Sequence, residues 1–282
     1  MTRLSPLNAL VFASLFQNMD SAPAMLELLN AILEASGEEP VEQILDLMSE
    51  YPLIAQGVGS KYGRVDVLVR TLSKRVFDFE VQIDWDSMNN RGFFYGGRLM
   101  TQEFKEGTPY SEMPRMRIIN LLGFRIRKDN PELIQPVILA YEKEPLREAT
   151  DVFKIYNIQM PVFRERHKTL ESVNGNPFFT WLYLLDKGYL NEQEMEVLSG
   201  MSEGMRTFAR QYHIAMNDPR LAKLYQMEQD AKRDEASRMR FAVSEALDKQ
   251  KYEIASGLKR SGVSADIISN TTGLSEKEIE KL

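Results

Sequence analysis

The sequence predicts an α/β protein, in which helices precede a β-hairpin and a further helix leads into more strands. Three observations carry this prediction. Apolar residues recur with helical spacing over residues 7–35, alternating β-rich runs flank a short polar loop within residues 64–84, and apolar strand-like runs follow near residues 116–141. With 282 residues, 43% of them hydrophobic, the chain can bury a sizeable core in one large or two modest domains.

The first part of the chain is predicted to be helical. Two helices are expected within residues 7–35, broken near residues 20–23, and a third short helix is expected at residues 40–48. After residue 50 the composition becomes glycine-rich, which indicates a change from helix to sheet.

The predicted hairpin consists of strands at residues 64–69 and 75–84. If its loop has three residues, 72–74, Asp66 lies opposite Glu80, and facing residues of an antiparallel pair point to the same side. A two-residue loop would instead place these two carboxylates on different faces.

Facing carboxylates repel each other by roughly 0.2–1 kcal/mol, so another group must offset this repulsion. A divalent cation would do so, since Mg²⁺ binds one or two carboxylates and leaves positions for phosphate oxygens. Gln82 projects from the same strand face as Glu80. The alternative is that Asp66, Asp78 and Glu80 are ordinary solvent-facing residues, which fits Asp78 well, whereas Asp66 interrupts an apolar strand.

The later elements are predicted from similar patterns. A helix is expected at residues 88–104, strands at residues 116–126 and 136–141, and helices from about residue 157 onwards. The charged helix at residues 218–251 is expected to be solvated and could support a homodimer.

A C-terminal pair of short helices is predicted around Gly273, with Ser275 as an N-cap. The pair is like half of a helix-turn-helix motif. Its second helix carries Glu276, Glu278 and Glu280, which phosphates would repel, so packing or self-association is favoured over groove reading.

Composition excludes several kinds of site. The absence of cysteine excludes disulfides and thiolate metal sites, and neither His167 nor His213 lies near a Gly-x-Ser-x-Gly turn, so hydrolase triads are set aside. The net charge of -6 means that any site for a polyanion must be local. We find no signal peptide and no apolar run long enough for a membrane span, and the cytoplasm is the expected location.

Several segments together resemble one known family. They are GRVDVLV, FDFEVQ, NRGFFYGGRLMTQEFKEGTPYSEM, MRIINLLGF, the opening NALVFASLF with LLNAIL, FFTWLYLL, and the closing EIASGLKRSGVSADIISNTTGLSEKEIEKL. This set resembles the Rpn family of recombination-promoting nucleases and transposases, within the PD-(D/E)XK nuclease superfamily. The resemblance spans nearly the whole chain, and its most specific parts are residues 80–82 and 91–110.

The resemblance implies a restriction-endonuclease-like core, a mixed sheet flanked by helices, over residues 1–160, with a helical C-terminal region over residues 161–282. It implies that Asp66 and Glu80 bind Mg²⁺ or Mn²⁺. Gln82 stands where the superfamily more often has lysine, and as a neutral amide it could orient the attacking water but cannot supply the charge of lysine.

Arg91 and Tyr95 are one helical turn apart and therefore point to the same side, where they could bind a DNA phosphate. Pairing of Arg91 with an acid such as Asp86 or Glu80, with Tyr95 packed, is about equally compatible with the spacing.

One position departs from the resemblance. Relatives usually carry an acid three residues before the first helical Phe, and this chain has Ala9 there, before Phe12. Asn8, Glu27 or Asp20 could substitute for that acid, or the site could be weakened.

The sequence therefore predicts a Mg²⁺-dependent DNA endonuclease linked to recombination or mobile elements. The alternative is a catalytically weakened protein of the same fold that acts as a DNA-binding or interaction module. A third interpretation, phosphoryl transfer to DNA as in transposition, uses the same centre.

Overall fold

A computed structural model describes residues 4–53, 63–82, 88–173, 175–187 and 190–282. The chain divides into two compact units, Met1–Tyr225 and Gln226–Leu282. In the described residues the first unit contains every strand, and the second unit is helical.

The N-terminal helices agree with the prediction. Helix α1 spans Ala9–Leu15 and helix α2 spans Ala22–Ala35, with a short 3₁₀ turn at Met19–Ser21 between them. The side chain of Asn8 caps α1, because its Oδ1 accepts hydrogen bonds from the first backbone N–H groups of the helix.

In the described residues, eight strands follow in chain order, with one long helix among them. They are β1 (Ile44–Leu53), β2 (Gly63–Thr71), β3 (Arg75–Gln82), helix α3 (Met88–Glu103), β4 (Arg115–Leu122), β5 (Ile134–Ile138), β6 (Ala140–Tyr141), β7 (Glu144–Glu148) and β8 (Phe153–Gln159). The main sheet has six strands in the order β1-β2-β3-β4-β8-β5, and β6 pairs with β7 separately. Strands β3, β4 and β8 are mutually parallel, while the other pairs are antiparallel, so the predicted mixed sheet flanked by helices is confirmed.

Two predictions for individual elements are wrong. The helix expected at residues 40–48 is replaced by β1, in which Leu47 pairs with Val69 of β2. Strand β8 was not predicted, and it extends past residue 157, where helices were expected to begin. Both runs are short and apolar, and for such runs the neighbouring strands decide between strand and helix.

The helices after the sheet are α4 (Met160–Arg166), α5 (Pro177–Asp186), α6 (Glu192–Met201), α7 (Glu203–Met216), α8 (Pro219–Arg260), α9 (Ala265–Thr272) and α10 (Glu276–Glu280). Residues of α4 to α7 pack into the same core as α1, α2 and one face of the sheet. Helices α4 to α7 therefore belong to the same compact unit as the sheet, and this unit ends at Tyr225. The domain boundary expected at residue 160 stays a prediction. None of the helices in the described ranges is long and apolar enough to cross a membrane.

The second unit has a small core of its own, made by Ala255, Ile268, Leu274 and Ile279. Ser275 begins α10 with a capping box, as predicted. Gly273 ends α9 with a φ of 74°, in the left-handed region that glycine adopts without strain.

The two faces of the main sheet carry different cores. Phe77 and Phe79 of β3 face the large helical core, while Val76 of β3 and Ile118 of β4 face a smaller core that includes Leu99 of α3. Side chains alternate along a strand, so Asp78 and Glu80 point toward the α3 side.

Candidate active site

The β2–β3 hairpin brings Asp66 and Glu80 together. The strands are joined by a three-residue loop, in which Lys74 closes the turn at a φ of 56°. The register pairs of these strands run from Arg70–Val76 to Val67–Phe79, which is the register that a three-residue loop predicts. Continued by one residue, it would set Asp66 opposite Glu80. Asp66 Oδ2 accepts a hydrogen bond of 2.9 Å from the backbone N–H of Val81.

Glu80 is buried and incompletely paired. Its exposed fraction is 2%, its Oε2 lies 3.5 Å from Nη2 of Arg91, and its Oε1 has no hydrogen-bond partner among the described residues. An unpaired buried carboxylate oxygen is costly, because it has lost water without gaining a donor.

Asp78 is a third carboxylate at this place. The expectation that it faces solvent is wrong, since its exposed fraction is 0% and neither carboxylate oxygen has a partner within the described part of the chain. It pairs in register with Leu68 on one side and Ile118 on the other, so apolar residues flank it. The sequence indicated only the alternation of β3, not that α3 would cover this face.

Burial and mutual repulsion shift the ionisation of these acids. Burial, and then the charge of Asp66, raise the pKa of Asp78 well above its usual value. Burial, and then the charges of Asp78 and Asp66, likewise raise the pKa of Glu80, and Arg91 offsets only part of this effect. Perturbed carboxyl groups of this kind are typical of functional sites.

A row of polar residues continues from Glu80 across the sheet. Glu80 pairs with Asn120 of β4, Asn120 pairs with Asn157 of β8, and Asn157 pairs with Gln135 of β5. Asn120 is buried, and its Nδ2 donates to Asn157 Oδ1 at 2.7 Å, while its own Oδ1 has no partner among the described residues. Sequence reasoning missed Asn120, although a single amide inside the apolar run of β4 is a signal that could have found it.

Helix α3 carries the two predicted substrate-binding residues. Arg91 and Tyr95 do share a side, with the Arg91 guanidinium 5.0 Å from the centre of the Tyr95 ring. Arg91 also pairs with Glu80, and Tyr95 packs partly against the smaller core. The structure therefore brings Arg91 to the carboxylates, while its role toward a phosphate stays a prediction.

Gln82 is the last residue of β3 and pairs in register with Leu122 of β4. Its side chain lies outside what the structure describes, as does Asp86. The prediction that Gln82 orients water is therefore carried only by its place two residues after Glu80.

The replacements considered for the missing helix acid have other contacts. Ala9 is the first residue of α1, and Asn8 caps that helix. Glu27 lies against α7, since a Cβ built on Gly204 would be 2.3 Å from Glu27 Oε2. The backbone carbonyl of Asp20 accepts a hydrogen bond of 3.3 Å from Arg210 of α7.

The fit to a metal ion rests on Asp66 and Glu80. Within the described ranges, no three His, Cys, Asp or Glu residues form a group that could hold a metal ion. Two carboxylates are nevertheless enough for Mg²⁺, which keeps several waters and takes substrate oxygens. The unpaired Glu80 Oε1 is an acceptor of the kind that a hard cation requires.

Both histidines make local contacts. His167 Nδ1 lies 3.1 Å from the carbonyl oxygen of Ser172, and its ring centre lies 4.3 Å from that of Phe179. His213 is exposed on α7 and is bonded to Asn217.

Comparison with known proteins gives one match. A family model described as PD-(D/E)XK nuclease family transposase matches residues 6–242. No curated protein and no solved structure gives a significant match. The matched range includes both strands of the hairpin, helix α3 and the first part of α8.

Proposed function

Because the chain belongs to the PD-(D/E)XK nuclease transposase family, we propose that it hydrolyses phosphodiester bonds of DNA with a divalent metal ion. In this proposal Asp66 and Glu80 hold Mg²⁺ or Mn²⁺. The observation that carries it is the buried Glu80, on the strand next to that of Asp66, whose Oε1 has no hydrogen-bond partner among the described residues.

The carboxylates have separate tasks in this reaction. The hydrogen bond from the N–H of Val81 holds the Asp66 carboxylate in place, so its remaining lone pairs keep a fixed direction. Glu80 is desolvated, which strengthens its attraction to any cation. The metal ion, when bound, supplies Lewis-acid stabilisation of the charge that develops on the phosphate.

The remaining residues position the substrate. Gln82 orients the attacking water through its amide. Arg91 moves from Glu80 to a phosphate oxygen, and its stacking on Tyr95 limits the positions that the guanidinium adopts. No lysine stands at the position of Gln82, so Arg91 is the nearby cation for transition-state charge.

A plasmid-nicking assay tests the proposal. Supercoiled plasmid is incubated with the protein in Mg²⁺, Mn²⁺ or EDTA, beside the Asp66→Asn and Glu80→Gln variants and a Glu112→Gln control, which changes an exposed, paired carboxylate. We expect metal-dependent nicking that both site variants lose and the control retains. No nicking, or nicking that persists in the site variants, would overturn the proposal.

A second function is favoured by Ala9 and by the capping role of Asn8. If no other group supplies the helix acid, the chain is a DNA-binding or interaction module on a nuclease fold. DNA binding without nicking in either metal would support this second function. The family description also favours transposition chemistry, and joined rather than cleaved DNA strands would indicate it.

Self-association through the C-terminal helices is also a proposal. Helix α8 exposes Met239, Phe241, Val243 and Leu247, apolar side chains that a second copy could cover. Light scattering of the wild type beside a Phe241→Ser variant tests it, and a monomeric wild type would contradict it. The recombination role and the cytoplasmic location stay predictions of the sequence.

A further inference from the structure

One face of α3 combines arginines and aromatic rings. Arg91, Phe94, Tyr95 and Arg98 recur at i, i+3, i+4 and i+7, the spacing of a single helical face. Such a stripe is usually apolar and buried, yet Phe94 is 44% exposed and the Arg91 side chain is 42% exposed. We call these four residues the arginine–aromatic face.

The packing of α3 explains why this face stays open. Gly92 and Gly96 lie on the side of the helix that contacts the sheet, and a Cβ built on Gly96 would lie 2.2 Å from the Phe153 ring. The glycines let the helix approach the sheet closely. The larger side chains of the helix are therefore left on the neighbouring face.

The rings and guanidinium groups form a continuous series. The Arg91 guanidinium lies 5.0 Å from the Tyr95 ring centre, Tyr95 lies 6.0 Å from Phe94, and the Arg98 guanidinium lies 5.2 Å from the Phe94 ring. At its first end, Arg91 reaches Glu80. The face then runs about 10 Å along the helix, roughly the length of three stacked nucleotides.

This chemistry fits an unpaired nucleic-acid strand. Guanidinium groups bind phosphates, and exposed aromatic rings stack on base faces, which a paired and stacked duplex does not offer. We propose that the arginine–aromatic face binds a single-stranded segment of DNA beside the carboxylates, so that the substrate is DNA with an unpaired region. The inference rests on the proposed function for its choice of DNA as substrate.

The contact of Arg98 with the Phe94 ring is weak enough for a nucleic-acid base to replace it. An exposed cation–π pair contributes less than the stacking of a base on an aromatic side chain does. A base can therefore displace Arg98 from the Phe94 ring and leave its guanidinium for a phosphate.

Fluorescence anisotropy in EDTA tests the inference without cleavage. The probes are a labelled single strand, the same strand in a blunt duplex, and that duplex with a single-stranded tail. The wild type should bind the single strand and the tailed duplex at least about tenfold more tightly than the blunt duplex. Phe94→Ala should weaken single-strand binding at least about fivefold, with blunt-duplex binding unchanged.

Matched variants separate stacking from folding and from charge. Phe94→Trp should restore single-strand binding, and Phe94→Leu, which keeps the apolar bulk but not the ring, should not. Arg240→Ala removes one exposed positive charge from α8 in the second unit and should leave the preference intact. Unfolding midpoints confirm that each variant is folded.

The outcomes distinguish this inference from the proposed function. Equal binding of all probes, no DNA binding, or equal losses for single strand and duplex in Phe94→Ala would overturn the inference. Metal-dependent nicking that depends on Glu80 would then still support the nuclease. Conversely, a Phe94-dependent single-strand preference without nicking would support this face and contradict hydrolysis.

Discussion

Buried charged side chains lie near the starts of β3 and β4 and again farther along β3, and the two clusters differ in compensation. Near the strand starts, Glu38 accepts hydrogen bonds from Arg117, at 2.7 Å, from Arg75 and from Tyr156. Arg117 also donates to Asp151 at 2.6 Å. We call these residues the Glu38 cluster.

Farther along β3, Asp78 and Glu80 have no comparable set of donors among the described residues. Burial alone would raise the pKa of Glu38, but the hydrogen bonds from Tyr156 and Arg117, together with the charges of Arg117 and Arg75, lower it. The pKa of Glu80 is raised instead. Glu38 is therefore paired at both carboxylate oxygens, whereas Asp78 and Glu80 keep carboxylate oxygens without partners among the described residues, a pattern typical of functional sites.

The largest expected effect concerns the Glu38 cluster. Glu38→Gln should lower the free energy of unfolding by about 3–5 kcal/mol, because it leaves the Arg117 charge buried with an incomplete set of partners. Urea denaturation measures it, and Glu112→Gln, an exposed pair, should cost at most about 1 kcal/mol. Equal losses in both variants would show that the Glu38 cluster stabilises the fold no more than an exposed ion pair does.

The pH dependence of this effect has a defined sign. Since the folded pKa of Glu38 lies below its usual 4.5, its stabilisation is complete above the unfolded pKa and is lost as pH falls through the folded value. The difference between wild type and Glu38→Gln should therefore shrink below about pH 4.5. A difference that grows on acidification would contradict this assignment.

The second prediction concerns the packing of α3, which covers the sheet face that carries Asp78 and Glu80. Gly96→Ala should destabilise the protein by about 1–3 kcal/mol, since the new methyl group overlaps the Phe153 ring. It should also reduce nicking, because α3 carries Arg91. Gly97→Ala has nothing within 4 Å of its new Cβ and should gain up to about 1 kcal/mol. Similar melting temperatures for the two variants would show that α3 is not closely packed.

The third prediction has the opposite sign from Glu38→Gln. Asp78→Asn should raise the unfolding free energy at neutral pH by about 1–3 kcal/mol, because it removes a buried carboxylate that lacks donors. The raised folded pKa means that wild-type stability falls as pH rises above about 4, so the gain should appear over that range and vanish below it. Asp129→Asn, an exposed residue paired with Arg127, should give no such gain. A loss of stability in Asp78→Asn would identify Asp78 as structurally required.

The smallest expected effect is stabilisation by metal. At a Mg²⁺ concentration tenfold above its dissociation constant, the folded wild type should gain about 1.4 kcal/mol. Glu80→Gln should show no gain in the same thermal unfolding experiment, whereas Glu112→Gln should behave as the wild type. An equal gain in Glu80→Gln would place the ion elsewhere.

Much of the carboxylate site was predictable because it is local in sequence. The alternation of β2 and β3 and a three-residue loop are enough to set Asp66 opposite Glu80, and helical spacing is enough to set Arg91 beside Tyr95. Where sequence reasoning failed, the cause was distant in the chain. Residues 44–53 form strand β1 because β2 lies beside them.

Periodicity and a short polar loop were enough to predict the α/β class and the hairpin from the sequence, whereas the register of the hairpin depended on a loop length that the sequence left open. The burial of Asp78 and the place of Asn120 in the row from Glu80 follow from the tertiary structure. Burial depends on α3 covering that face, and the row depends on parallel strands that are about 40 residues apart in the chain. Contacts between distant segments leave no local periodic pattern, which is the physical reason that the sequence alone could not reveal them.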